Sequence, residues 1–168
     1  MRVRRSTVVG SITALVLTLG GLAYVAAPAD AGDGQVFVGV SKRPNGEWHT
    51  NLSPNIKRGQ AKDFYIEVIN VSLSDLEVSL SGVTEGPELR AKWFKGVSGN
   101  RNITEAVTEG DYSVNTKSGQ VKKFRWLVKR TNDPGTGVGC SRTLATWPIG
   151  NDDTVGIFVN GSPGGCLI

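Results

Sequence analysis

The chain contains few residues whose side chains could act as nucleophiles or general bases. His49 is the single histidine in 168 residues, so a serine–histidine or cysteine–histidine pair would have to be built around it. It follows Trp48 in the arm of a predicted hairpin, where a histidine is more often a surface residue than a base. The G-x-S-x-G sequence that exposes a nucleophilic serine is absent. We therefore predict no catalytic residue and a protein that is not an enzyme.

Acidic residues offer two further kinds of chemistry, metal binding and acid–base catalysis. Asn151-Asp152-Asp153 would offer oxygen ligands to Ca²⁺ but lacks the spacing of an EF-hand loop. A turn with solubilising acids is the favoured interpretation. Two carboxylates from distant strands can form a glycosidase pair at any sequence separation, and nothing in the sequence marks such a pair. We predict no metal and no cofactor.

The four tryptophans fall into two groups. Trp93 and Trp126 lie on the apolar phase of alternating segments, which predicts core positions. Trp48, beside a hairpin turn, and Trp147, before Pro148, lie near the ends of predicted strands. Rings in such places can stack on sugars or cover the end of a core. The second role is favoured because a large ring gains most by burying its apolar body, and Trp48 and Trp147 remain the candidate ligand-stacking residues.

Basic residues cluster on and around one predicted strand, residues 121–131. Lys123, Arg125 and Lys129 share one face of it at a period of two, so they form a stripe that could contact an anionic wall polymer or a membrane surface. A solvated sheet face or a guarded sheet edge explains such a stripe more often. These three residues are the candidate polyanion contacts.

The first 31 residues have the organisation of a secretory signal peptide. Three arginines precede an apolar stretch from about residue 8 to residue 27, and Ala29-Asp30-Ala31 supplies a small-residue cleavage pattern before Gly32. An uncleaved membrane anchor is the alternative, but threonines, a serine and glycines weaken the stretch as a span. We predict cleavage, no stable membrane anchor after it, and a secreted, extracellular protein.

The mature chain is predicted to be one domain, residues 32–168, with little net charge. Removing the leader takes away three of the 19 basic residues and one of the 15 acidic residues, which leaves a charge of about +2. A nucleic-acid partner therefore has little electrostatic support, and we predict none. A chain of this length can bury a single core without help.

Both cysteines, Cys140 and Cys166, lie in the predicted exported part. An even count in an oxidising compartment favours a disulfide, and two cysteines allow one intramolecular pairing. If the last two predicted strands form an antiparallel hairpin, Cys140 comes near the chain shortly before Cys166. We predict this disulfide rather than two free buried thiols.

Short strands with frequent turn signals account for nearly the whole mature sequence. Residues 61–70 and 121–131 each alternate apolar and polar side chains, so each needs a surface against which to bury one face. One short helix is predicted near 102–107, ended by Gly110. Seven or eight strands at this spacing predict an all-β antiparallel sandwich, with a closed barrel as the main alternative.

The order of these strands resembles that of immunoglobulin-like modules in secreted bacterial surface proteins of the cell-adhesion-related kind. The likeness covers about residues 60–160 and lies in FYIEVINVSLSDLEVSLSGV, LRAKWFKG, NITEAVTEGDYSV, KKFRWLVKRT and CSRTLATW. It implies an immunoglobulin-like fold and an extracellular scaffold or binding role, with no catalytic residue. This chain differs from such proteins in having a single module and two cysteines.

Together these observations favour a secreted, non-enzymatic surface or interaction module. Its partner would be a cell-wall polysaccharide or another surface protein. A carbohydrate-binding module that uses Trp48 and Trp147 is the first alternative, and a small secreted hydrolase with an unmarked carboxylate pair is the second.

Overall fold

The computed structural model of the chain describes residues 35–133, 138–148 and 151–160. These residues form ten strands and one short helix. In chain order the elements are β1 Val36–Ser41, β2 Asn51–Leu52, β3 Ala61–Asn70, β4 Leu76–Glu85, β5 Leu89–Lys95, β6 Arg101–Asn102, α1 Thr104–Glu109, β7 Tyr112–Thr116, β8 Val121–Arg130, β9 Gly139–Trp147 and β10 Asn151–Val159.

The strands form two five-stranded sheets. The first sheet has the order β1-β3-β8-β5-β6 and the second the order β2-β10-β9-β4-β7. Neighbouring strands are antiparallel except for β2 and β10, which are parallel. Eight of the described strands have five or more residues, so the predicted immunoglobulin-like antiparallel sandwich of seven to eight strands is confirmed, with two short strands in addition.

The two long amphipathic strands of the sequence, β3 and β8, are neighbours at the centre of the first sheet. Their register places Phe64 opposite Trp126 and Ile66 opposite Phe124. All four side chains are almost fully buried, because the inner faces of both strands point toward the second sheet. The period-two alternation thus predicts correctly which face of each strand is buried.

Trp93 and Trp126 form the centre of the core. Their rings are stacked with centroids 5.7 Å apart, and the Trp93 indole donates to Thr143 Oγ1 on β9 at 2.8 Å. A Cβ at Gly82 would lie 2.7 Å from Trp93 Cζ2, so only glycine at this position leaves room for the ring. The predicted core role of both tryptophans is confirmed.

The short helix α1 lies where the sequence predicts it. Asn102 Oδ1 accepts the Thr104 N–H at 3.0 Å just before the first turn. Gly110 ends the helix in the left-handed conformation with φ 80°, which favours glycine because it carries no Cβ. Val107 is fully buried and ties the helix to the core.

A polar contact joins the two sheets where β1 lies near β10. Asp153, on β10, accepts the Val38 N–H of β1 at 3.0 Å. The last strand begins at Asn151, so Asp153 is a strand residue with a bonding partner and not part of the predicted solvated turn.

A buried ion pair holds the turn before β5 against the end of β8. Arg130 Nε lies 2.6 Å from Glu88 Oε2, and the side chain of Glu88 is only 3% exposed. A charge at this depth is stable only with a close counter-charge, so the pair fixes the position of the turn.

Three predictions fall on residues that the structure does not describe. The signal peptide, residues 1–31, lies outside the described residues, and so does Cys166. Cys140 is fully buried and lies opposite Phe158 in the β9–β10 pair, as the predicted hairpin requires. Cleavage, secretion and the Cys140–Cys166 pairing stay predictions. Within the described ranges, no helix has the length and apolarity needed to cross a membrane.

Candidate functional site

The outer face of the first sheet ends in a group of apolar side chains at the margin where β1 begins. Phe37, Ile69 and Val121 lie side by side on β1, β3 and β8. The pairing of β1 and β3 continues to Val71, whose N–H donates to Gln35 O at 3.1 Å. Val71 is two positions after Ile69, so its side chain lies on the same face. We call this group, with Leu73 of the following loop, the apolar end: Phe37, Ile69, Val71, Leu73 and Val121.

Most of the apolar end is open to solvent. The exposed fraction is 93% for Leu73, 46% for Val71, 43% for Phe37 and 42% for Val121. Isolated exposed apolar residues are ordinary, but a group of neighbours on one surface is typical of an interaction site.

The loop that carries Leu73 is held by the side chain of Asn70. This amide is fully buried, and its Nδ2 donates to the carbonyls of Ser74 at 2.8 Å and of Thr116 at 2.9 Å. Its Oδ1 accepts the Ser72 N–H at 2.9 Å. The loop is therefore fixed at both ends, and the exposure of Leu73 belongs to an ordered turn.

Next to the apolar end, residues 42–50 cover part of the outer face of the first sheet. Trp48 lies against Gly39, where an added Cβ would be 3.1 Å from Trp48 Cβ. His49 exchanges two backbone hydrogen bonds with Val40, at 2.8 and 2.9 Å, and so fixes the segment. The His49 side chain is exposed. Trp48 is half-buried and presents no fully open ring.

Lys123, the first residue of the predicted basic stripe, is engaged within this cover. Its Nζ lies 3.2 Å from Glu67 Oε2 and donates to Pro44 O at 2.9 Å and to Asn45 Oδ1 at 3.2 Å. It also lies 5.4 Å from the centroid of the Trp48 ring. Glu67 is only 4% exposed, so the ammonium group compensates a buried carboxylate.

Arg125, the second residue of the stripe, is also engaged. Its Nε lies 3.6 Å from Asp63 Oδ1, and its guanidinium carbon lies 4.3 Å from the centroid of the Phe94 ring. Lys129 is exposed at the far end of the face, opposite Ala61 and Arg90. The stripe is on one face as predicted, but two of its three charges already face carboxylates, and its contact with a polyanion stays a prediction.

Trp147 is the remaining candidate stacking residue. Trp147 is only 9% exposed, which favours its alternative role as cover for the core, and sugar stacking by Trp48 and Trp147 stays a prediction. Within the described ranges there is no group of three or more histidine, cysteine or acidic side chains arranged to hold a metal ion.

The apolar end was missed in the sequence, although a signal for it exists. Phe37, Ile69 and Val121 occupy the same phase of their strands as Gly39, Glu67 and Lys123, the outer phase. Three apolar residues on the solvent-facing side of three separate strands form a surface group only if the strands pair in the right register. That register is not visible in the sequence and follows from the fold.

Comparisons with known proteins give a likeness of fold. No protein-family model matches the chain, and no curated protein matches its sequence. Among solved structures, a family 123 glycoside hydrolase from Clostridium perfringens is similar over 76% of this chain and 28% of that chain, with 10% identity and a TM-score of 0.51. The PapD-like domain 7 of human CEP192 is similar over 87% of this chain and 98% of that chain, with 12% identity and a TM-score of 0.41. The chain thus spans little more than a quarter of the glycoside hydrolase.

Proposed function

We propose that this protein is a secreted, non-enzymatic interaction module that binds another surface protein through the apolar end of its first sheet. The observation that carries the proposal is the exposure of Phe37, Val71 and Val121 on the outer face of the first sheet, with Leu73 exposed in the loop that follows β3. Full burial of an apolar side chain of this size contributes about 1.5–3 kcal/mol. A partner that covers the group therefore gains enough to offset part of the cost of association.

The surroundings of the apolar end suit a protein partner better than an anionic polymer. Lys123 and Arg125 face Glu67 and Asp63, so the neighbouring surface carries paired charges rather than an open positive field. An apolar centre with a polar rim is the usual composition of a protein–protein interface.

A binding experiment with mapped variants tests the proposal. The processed protein, recovered from the medium of the exporting host, is immobilised and offered separately to surface proteins and to cell-wall polysaccharide over a salt titration. Apolar contacts are not screened by salt, so we expect a protein partner to be retained at high salt. Leu73→Ser and Val121→Ser should each weaken the capture.

Val83→Ser is the matched control, because Val83 is 48% exposed on β4 of the other sheet. It removes an exposed apolar side chain without touching the apolar end, and capture should persist. Equal loss in all three variants, or no capture of protein at any salt concentration, would contradict the proposal.

The carbohydrate-binding alternative predicts a different outcome in the same experiment. Salt-resistant retention of polysaccharide that Trp48→Ala abolishes would favour stacking on the indole. Retention that disappears at modest salt and in Lys129→Gln would instead indicate charge contacts with a polyanion.

A further inference from the structure

The sandwich has four sheet edges, and three of them are short or protected. The edge of β1 is covered by the two backbone hydrogen bonds between Val40 and His49 and by the bond from the Val38 N–H to Asp153. The edge strands β2 and β6 have only two residues each. Such devices prevent unwanted pairing with another chain.

The fourth edge, β7, has none of these protections from the residues that the structure describes. It pairs with β4 on one side, and no other described strand lies on its far side. Its five residues, YSVNT, include no proline and no charged side chain. An unprotected edge of this length is a template for one more strand.

The residues that flank β7 are arranged for pairing with a second copy. Asp111 precedes the strand and Lys117 follows it, each three positions from Val114. Both side chains are exposed, and neither takes part in an ion pair within the described part of the chain. In an antiparallel pair of two β7 strands centred on Val114, each Asp111 would lie directly opposite the partner copy's Lys117.

We propose that β7 is a self-association strand, which pairs antiparallel with β7 of a second copy about a two-fold axis at Val114. The pairing joins the two second sheets into one sheet of ten strands. It places Tyr112 opposite Thr116 and Ser113 opposite Asn115, so the inner face and the exposed face of the strand both continue across the junction. Two Asp–Lys pairs close its ends, because a two-fold axis repeats every contact.

Charge reversal tests this pairing without changing the strand itself. Asp111→Lys places two lysines at each end of the junction, and Lys117→Asp places two acids there. Like charges directly opposite each other destabilise a strand pair. We expect each single variant to raise the dissociation constant of the dimer at least about tenfold. An equimolar mixture of the two variants should dimerise, since every end then joins a lysine to an acid.

Sedimentation velocity of the processed protein over a concentration series measures these states. Circular dichroism confirms that the variants remain folded. Lys92→Asp is the matched control, because Lys92 is exposed on the first sheet, and it should dimerise like the unmodified protein.

Three results would each overturn the proposal. They are an unmodified protein that stays monomeric at all concentrations, single variants that dimerise as well as the unmodified protein, and a mixture no more associated than its components. The β7 strand belongs to the other sheet from the apolar end, and its self-pairing does not depend on the identity of the partner there.

Discussion

The side chains on the two faces of β8 are stabilised in different ways. On the inner face Phe124, Trp126 and Val128 are at most 2% exposed and belong to the hydrophobic core. On the outer face Lys123 and Arg125 pair with carboxylates of β3 and lie over aromatic rings. The charged outer face is therefore also a layer of packed side chains. The apolar end differs from it in being largely exposed to solvent.

The largest expected effect is on the inner face. Trp126→Ala removes a fully buried ring that stacks on Trp93, so the free energy of unfolding should fall by about 3–5 kcal/mol. Trp48→Ala, on the half-buried outer layer, should cost about 1 kcal/mol. Urea denaturation of both proteins measures the difference.

If Trp126→Ala does not fold, Trp126→Phe keeps an aromatic ring and should cost about 1–2 kcal/mol. Equal losses for Trp126 and Trp48 variants would remove the distinction between a core face and a covering layer.

A smaller effect separates two lysines on the outer face. Lys123→Met takes the counter-charge from the buried Glu67 and should lower the free energy of unfolding by about 1–2 kcal/mol. Lys129→Met removes an exposed charge and should change it by less than about 0.5 kcal/mol. If thermal or urea unfolding shows the two variants to be alike, Lys123 is an ordinary surface charge and the covering layer is not held by its ion pair.

The smallest effect concerns Tyr112, which is half-buried on β7 at the margin of the sandwich. Burial raises the pKa of its phenol above the ordinary value of 10.0, and the positive charge of Arg101 opposes this rise. The folded protein therefore keeps the phenol protonated where the unfolded chain has begun to ionise it. The stability from this group is complete below pH 10 and is lost as pH rises through the folded pKa.

Ultraviolet titration of the Tyr65→Phe variant measures this directly, because Tyr65 and Tyr112 are the two tyrosines that follow the predicted leader. The midpoint for the folded protein should exceed that in urea. Coincident midpoints would mean that Tyr112 is as solvated as an exposed residue.

Alternation along single strands was sufficient to predict most of the fold. Trp93 and Trp126 are core residues, as the phase of their strands predicts, and Gly110 ends the helix, as the sequence predicts. These features depend on residues close in sequence, so local patterns determine them.

The outer layer could not be predicted in the same way. Nothing near Glu67 in sequence indicates its burial, because Lys123 and the segment 42–50 reach it only after the strands pair. The contact between Asp153 and Val38 also joins residues 115 positions apart. Long-range register therefore decides which charged residues are engaged and which apolar residues remain exposed.

Hydrogen exchange on the captured complex tests the central claim, that the apolar end is the binding surface. The loop of residues 71–75 and the turn of residues 117–120 border this surface, and their amides can report a partner that covers it. We expect exchange there to slow when the partner binds, while exchange near Val83 stays unchanged. Slowing confined to residues 42–50 or to the Lys129 end of β8, with the 71–75 loop unaffected, would contradict the account.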